Sequence, residues 1–360
     1  EFRRVLFRST FYLKTAITHS CNTYFANVMQ RVINNPKYPS MDSSLRSWDR
    51  YMYAFGLGHK LGVDVPTERS GNIPTPEFFN NPKRFGPGHW NFCSFRSVSI
   101  GQGEVNATPL QVANEMAYIA NKGWYIIPHI VDSIEGGDKF GLLDRYMEKL
   151  VPIDIPDSIF EAVHDGMQGV MESGTGRGAQ VPGITVCGKT GTVENYAVIR
   201  GELVKQPNHS FFAAFAPRNN PKIAIMCVVE NSGRFGGTYA APITSLMIEK
   251  FLNDTIAANR LPLVERMSNT NLIPPLMMIQ MRKMDSLKKS RQQARELQIE
   301  LNNIKDTLQS DDNPSQEEVR EGKPGKPVKD SGNKKRIERP DINIPDKKRN
   351  YRNTDPTRRA

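Results

Sequence analysis

Four consecutive residues, Lys189-Thr190-Gly191-Thr192, carry the chemistry around which this sequence is best read. They lie in residues 186–193, a β-branched stretch that predicts a short strand. Lys189 supplies a positive charge, and Thr190 and Thr192 supply hydroxyl donors. Gly191 leaves room for another backbone to lie against the strand and pair with it. That set suits an extended peptide ending in a carboxylate. The cation attracts the carboxylate, the strand edge holds the peptide, and a backbone N–H faces a developing oxyanion. A strand that merely contains Lys-Thr-Gly is the plain alternative. At roughly one-in-twenty usage per residue type, a chosen tripeptide arises by chance in about a few per cent of chains this long, so the motif needs company.

A second polar set is Ser20-Cys21-Asn22. After it, Phe25, Val28, Met29, Val32 and Ile33 recur at helical spacing and predict an amphipathic helix within residues 10–34. Asn22 or Thr23 is suited to cap that helix. Ser20 and Asn22 thus fall at a helix N-terminus, where they either face a cleft or only cap.

The remaining elements must hold these two sets together. Residues 42–87, rich in Gly and Pro, predict loops with short helices. Residues 97–103, SVSIGQG, predict a tight turn. Thr108-Pro109-Leu110-Gln111 then reads as a helix start: a capping Thr, Pro at the first helical position, and Gln three residues after the cap. Val112, Met116, Ile119 and Ala120 form its buried face, and Gly123 ends it. Residues 124–131 predict a strand. Residues 158–173 predict a helix with Phe160, Val163, Met167, Val170 and Met171 inward. Residues 211–217 and 222–230 are apolar runs joined by Arg218-Asn219-Asn220-Pro221, a hairpin signal. Ile243, Leu246, Met247 and Phe251 give a last helix. Strand, hairpin and helix together predict an α+β fold with an antiparallel sheet.

Composition bounds the rest. The chain has 360 residues, 24% charged and 38% hydrophobic, which fits a globular part diluted by a polar one. From Ser268 onward there are 21 Lys/Arg against 14 Asp/Glu, so most of the formal +10 sits in the tail. No RNA-type aromatic motif or recognition-helix pattern accompanies that charge, which argues against a nucleic-acid partner. No apolar run approaches 18 residues, and the start has no signal-peptide core. Cysteines 21, 93, 187 and 227 have no C-x-x-C spacing and predict buried free thiols, with no metal site. Residues 1–9, EFRRVLFRS, resemble the translation of a sequencing adapter and are expected to be non-native. The globular part is expected over 10–257, with a linker and marginal helix over 258–308. Leu287, Ser290, Ala294, Leu297, Leu301, Ile304 and Leu308 there follow an imperfect heptad pattern. A disordered basic tail is expected over 309–360.

Five segments resemble the transpeptidase domain of class B penicillin-binding proteins of the cell-elongation type. They are TAITHSCNTYF (15–25), FGLGHKLGVDVP (55–66), SVSIGQGEVNATPLQVANEMAYIANKG (97–123), CGKTGTVEN (187–195) and FFAAFAPRNNPKIAIMCVVEN (211–231). The resemblance covers about residues 10–257. It implies the penicillin-binding/β-lactamase-like fold, truncated at its N-terminal side. That family places three motifs around one cleft: Ser-x-x-Lys, Ser-x-Asn and Lys-Thr-Gly. By resemblance, Ser20 and Asn22 are the second motif, and Lys189, Thr190 and Gly191 the third. Ser20 would relay protons and Asn22 would hold the substrate amide. Lys189 would sustain the positive field, with Thr190 and Thr192 near the substrate carboxylate. The Thr192 N–H would form half of the oxyanion hole.

The first motif departs from the pattern. Ser-x-x-Lys occurs only at Ser286/Lys289 and Ser331/Lys334, after the third motif instead of before the second. The family's serine nucleophile is therefore expected upstream of Ser20 in a longer parent. The resemblance implies a peptidoglycan D,D-transpeptidase that needs no metal or organic cofactor. Its implied partners are stem peptides, β-lactams, a membrane glycosyltransferase and elongation-complex proteins. Its implied location is the inner membrane, with a periplasmic catalytic domain and an anchor outside this chain. A β-lactam-sensing or scaffolding module, or a penicillin-recognising hydrolase, is the alternative.

Overall fold

The computed structural model describes residues 12–310 except Arg200, Arg234 and Pro274, with side chains other than those of residues 275, 276 and 303–310. The adapter-like start lies outside the described residues, as does all but the first two residues of the expected tail. The chain divides into two compact units, one ending at Arg282 and one beginning at Lys283.

The helix expected over residues 10–34 is two helices, α1 (Leu13–Thr18) and α2 (Asn22–Ile33). The break falls at Ser20, whose φ is +54°. The Cys21 N–H donates to the Ala16 carbonyl at 2.9 Å and the Ser20 N–H to the Ile17 carbonyl at 3.1 Å. Those two bonds close a helix C-terminus in which a left-handed residue, usually glycine, follows the last turn. The cap of α2 is Cys21, with no side-chain bond, so Asn22 is its first helical residue and neither Asn22 nor Thr23 caps it. Val28, expected inward, is exposed; Met29 and Ile33 are buried.

Helix α3 (Met41–Ala54) replaces much of the loop expected after residue 42. Ser40 and Ser43 open it with a reciprocal capping box. Its buried positions include Ser44 and Asp49, so polar residues interrupt the apolar stripe that would have announced it. The short helices α4 (Pro76–Asn80) and α5 (Phe92–Phe95) follow. With α2 and α3 they enclose an aromatic cluster of Phe79, Trp90 and Phe95. Helix α6 (Pro109–Ala120) starts as predicted: Thr108 and Gln111 form a capping box, and Pro109 is the first residue. The strand expected over 124–131 is absent; a single bridge pairs Tyr125 with Leu150. Pro128 has no N–H to give a ladder, and the Asp64 carboxylate takes the N–H groups of Ile130 and Val131 instead.

Helix α7 (Asp157–Glu172) presents Phe160, Met167, Val170 and Met171 to the core. It also presents Gly166 and Gly169 to α1. A Cβ on Gly169 would stand 2.3 Å from Thr18 Oγ1, and one on Gly166 would stand 2.8 Å from Ile17. The two helices touch through these gaps, and Thr18 Oγ1 donates to the Gly166 carbonyl at 3.2 Å. This contact fixes the end of α1 and therefore Ser20.

Three antiparallel strands follow: β1 (Cys187–Ile199), β2 (Glu202–Ala216) and β3 (Ile223–Val229), in the order β1-β2-β3. β1 and β2 are both longer than the apolar runs implied, because their far halves form an exposed ribbon. Register pairs Cys187 with Phe215, Gly191 with Phe211, and Phe212 with Cys227. The predicted hairpin tip is anchored on α7: Arg218 binds Asp165 at 2.7 Å and Glu161 at 3.0 Å. Phe212 and Phe215 are fully buried between sheet and helices.

Helix α8 (Ala240–Asn253) buries Ala240, Ala241, Thr244, Ser245 and Ile248, while Met247 and Phe251 are exposed. Of the apolar residues that announced the helix, Leu246 is buried with these small residues, which let the helix sit close to the sheet. Helices α9 (Leu261–Asn269) and α10 (Pro275–Ser310) complete the described chain. All four cysteines are free, but only Cys187 is buried; Cys93 is exposed and Cys21 and Cys227 are half-buried. No helix among the described residues is long and apolar enough to cross a membrane.

Candidate active site

Ser20, Asn22, Lys189, Thr190, Gly191 and Thr192 all line one cleft of about 890 Å³. Lys189 Nζ donates to Ser20 Oγ at 2.7 Å and to the Thr190 carbonyl at 3.0 Å. The hydrogen bond to Ser20 joins residues 169 positions apart in sequence. Lys189 is not the fixed charge its side chain suggests. Burial pulls its pKa down to about 8, so it is mostly protonated at neutral pH and loses its charge above that value.

The position of Ser20 is strained. A left-handed conformation costs a residue with a Cβ roughly 1–2 kcal/mol, and glycine would fill this place without that cost. Strain of this kind collects where a side chain is held for its chemistry. Ser20→Gly is expected to be more stable than Ser20→Ala by about 1 kcal/mol, since neither retains the Lys189 hydrogen bond and only glycine relieves the strain. Urea unfolding of both variants measures this; equal stability would show that residue 20 carries no strain.

β1 lies at an edge of the sheet. The Thr192 carbonyl accepts from Gln102 Nε2 at 3.4 Å, so it points away from β2. In an antiparallel strand the N–H of a residue points to the same side as its C=O. The N–H of Thr192 therefore faces the open edge, as does that of Thr190, two residues away. An extended peptide can meet those donors beside Lys189. The close backbone approach at Gly191 is made within the chain itself: a Cβ on Gly236 would lie 2.0 Å from the Phe211 carbonyl oxygen and 2.7 Å from that of Gly191. Gly236 thus backs the Lys-Thr-Gly strand.

Other cleft residues escape the sequence reading. Thr175, in the break after α7, shares a 2.6 Å hydrogen bond with Thr190, hydroxyl to hydroxyl. Gln102 lies in the predicted tight turn, and its position before a glycine was the only signal. Glu115, on α6, lines the cleft. Its one sequence signal is that it is the single charged residue between Pro109 and Ala120. Burial pushes its carboxyl up to about 7.

That shift has a sign. Folded Glu115 holds a proton between its ordinary value of 4.5 and about 7, where the unfolded chain has released it. The associated stability is full below about 4.5 and is lost as pH rises through 7. Burial pushes His164 down, which gives a slope of the opposite sign, so the comparison with Glu115→Gln isolates the carboxyl. From pH 5 to 8, Glu115→Gln is expected to gain about 1–3 kcal/mol relative to wild type, at about 1.4 kcal/mol per pKa unit. Chemical denaturation across that range tests it; a constant difference would mean that Glu115 titrates as an exposed carboxylate does.

Residues 7–249 match the penicillin binding protein transpeptidase domain family, and the chain belongs to that family. Its relatives are of the penicillin-binding protein 2 type in class B. The chain is 33% identical over 232 residues to the peptidoglycan D,D-transpeptidase MrdA of Acinetobacter baumannii, covering 62% of this chain and 32% of the relative. It is 33% identical over 267 residues to MrdA of Haemophilus influenzae, covering 71% and 37%. Among solved structures it is similar to Pseudomonas aeruginosa PBP2, at 28% identity and a TM-score of 0.52 over 69% of this chain and 50% of that one. It is also similar to Helicobacter pylori PBP2 in a complex with MreC, at 25% identity and a TM-score of 0.50 over 68% and 40%. The chain spans about a third of the length of the curated relatives it matches. The α+β fold with an antiparallel sheet and flanking helices is that of the family.

Proposed function

We propose that this chain supplies the second and third catalytic motifs of a serine-type peptidoglycan D,D-transpeptidase, with the nucleophile contributed by chain outside this sequence. The observation that carries the reading is the 2.7 Å contact between Lys189 Nζ and Ser20 Oγ in a cleft beside an open strand edge. No Ser-x-x-Lys precedes Ser20 in the sequence, which supports a nucleophile from elsewhere.

A stem peptide enters as an added strand along β1. Its terminal carboxylate meets the Lys189 ammonium and the hydroxyls of Thr190 and Thr192. Asn22 holds the peptide amide. The serine of the first motif attacks the penultimate D-Ala carbonyl, and the Thr192 N–H receives the oxyanion. Because Lys189 donates to Ser20 Oγ, the Ser20 hydroxyl proton is free to pass to the departing D-Ala amine. An acceptor amine from a neighbouring stem then releases the acyl-enzyme and completes the cross-link. β-Lactams enter the same cleft as mimics of the D-Ala-D-Ala end.

In this reading the working protein acts in the periplasm from an inner-membrane anchor. The MreC complex of the Helicobacter pylori relative supports elongation-complex partners, and a membrane glycosyltransferase would supply the strands. The parent protein, given uncross-linked strands with pentapeptide stems, should release D-Ala and yield cross-linked muropeptides. A stable penicillin adduct without cross-linking would make it a sensor, and steady-state nitrocefin turnover would make it a hydrolase. Either result overturns the proposal.

A further inference from the structure

Helix α10 runs for 36 residues, and every side chain from Ile279 to Asn302 is exposed. Leu287, Leu297 and Leu301 are 55%, 59% and 50% exposed. Positions 287, 290, 294, 297, 301, 304 and 308 recur at alternating steps of three and four along it, carrying Leu, Ser, Ala, Leu, Leu, Ile and Leu. That is the spacing of a two-helix seam. A seam of leucines left in water gains nothing for a helix this long, whereas a second helix would cover it.

We propose that α10 is a self-association segment, and that two copies of this chain pair through it in parallel along residues 287–308. The flanking charges choose the second copy and its direction. In a parallel pair, each residue just before the first seam position of a heptad faces the residue five places on in the other helix. Glu300 then faces Lys305 of the second copy, twice by symmetry, and Gln293 faces Gln298. No like charges meet. In an antiparallel pair the flanking residues meet their own kind. One register sets Glu300 against Glu300 and Arg291 against Lys305; the register one heptad away sets Gln293 against Glu300 and Arg291 against Gln298. Neither brings opposite charges together, so the sequence disfavours that orientation. Within each helix, Gln292 already bonds Glu296 at 3.1 Å, so position 296 is occupied on its own helix.

The pairing rests on α10 alone and does not depend on the transpeptidase reading. The test uses the full chain in sedimentation equilibrium over a concentration series. The mass is expected to rise from 40.6 kDa toward twice that value. Leu297→Asp, at an exposed position that no core contact uses, is expected to hold it at the monomer mass with unchanged thermal unfolding of the globular part. Glu300→Lys is expected to weaken pairing about tenfold, and Glu300→Lys with Lys305→Glu to restore it. A monomer at every concentration overturns the proposal, and so does a complex of more than two chains. Stronger pairing in Glu300→Gln, which removes the antiparallel Glu300–Glu300 contact, overturns it too.

Discussion

Incubated with a fluorescent penicillin and run on a denaturing gel, this chain is expected to show no labelled band. A penicillin adduct survives such a gel only as a covalent acyl-enzyme, which needs a serine activated by a neighbouring base. The family's activated serine belongs to Ser-x-x-Lys, and none stands before Ser20. Of the two later occurrences, Ser286/Lys289 is exposed on α10, where water competes for every hydrogen bond, and Ser331/Lys334 lies outside the described residues. A serine without a desolvated base and an oxyanion donor lacks what makes acylation fast. Ser20 does meet a lysine at 2.7 Å, so the result is not trivial. A band that appears and then disappears in Ser20→Ala would make Ser20 the nucleophile and would overturn the division of labour proposed for the cleft.

The elements legible in the sequence were those fixed by local chemistry. Thr108-Pro109-Gln111 specifies a helix start by bonds among neighbours, and the start falls where they put it. The hairpin over 211–230 is signalled by two apolar runs and a turn, and its strands pair as expected. What local pattern could not reveal was set by contacts distant in sequence. Helix α3 buries Ser44 and Asp49, so its periodicity was masked. The inward face of α8 combines alanine, serine and threonine with Leu246 and Ile248, while Met247 and Phe251, equally apolar, stay exposed, a division that apolar spacing alone does not reveal. Residues 124–131 have strand composition, but Ile130 and Val131 give their N–H groups to Asp64, 66 and 67 residues away.

The cleft divides along the same line. Ser20, Asn22 and the 189–192 stretch could be named because their spacing resembles a family pattern. That Ser20 sits in a left-handed position, ending α1, could not be read, since serine gives no sign of it. Thr175, Gln102 and Glu115 became visible only when the chain was folded, each brought to the cleft by a different loop or helix. The lowered pKa of Lys189 is likewise a product of burial, which no residue next to it in sequence encodes.

The claim that the cleft works through Lys189 is tested most directly by comparing it with Lys222, which stands just before β3. Lys189 is held in the cleft against Ser20, where low solvent access strengthens its field. Lys222 is exposed beside the hairpin turn, and its backbone N–H donates to the Ala216 carbonyl at 2.8 Å. Both variants, Lys189→Ala and Lys222→Ala, are made in the parent protein that contains the first motif, checked for folding, and assayed for the second-order rate of acylation by a labelled penicillin. Loss of an oriented catalytic charge lowers such rates about a hundredfold or more, while an exposed lysine is worth within about 0.5 kcal/mol of stability. Lys189→Ala is therefore expected to acylate at least about a hundredfold more slowly than Lys222→Ala, with Lys222→Ala near wild type. Equal rates for the two would contradict the assignment of this cleft as the catalytic centre.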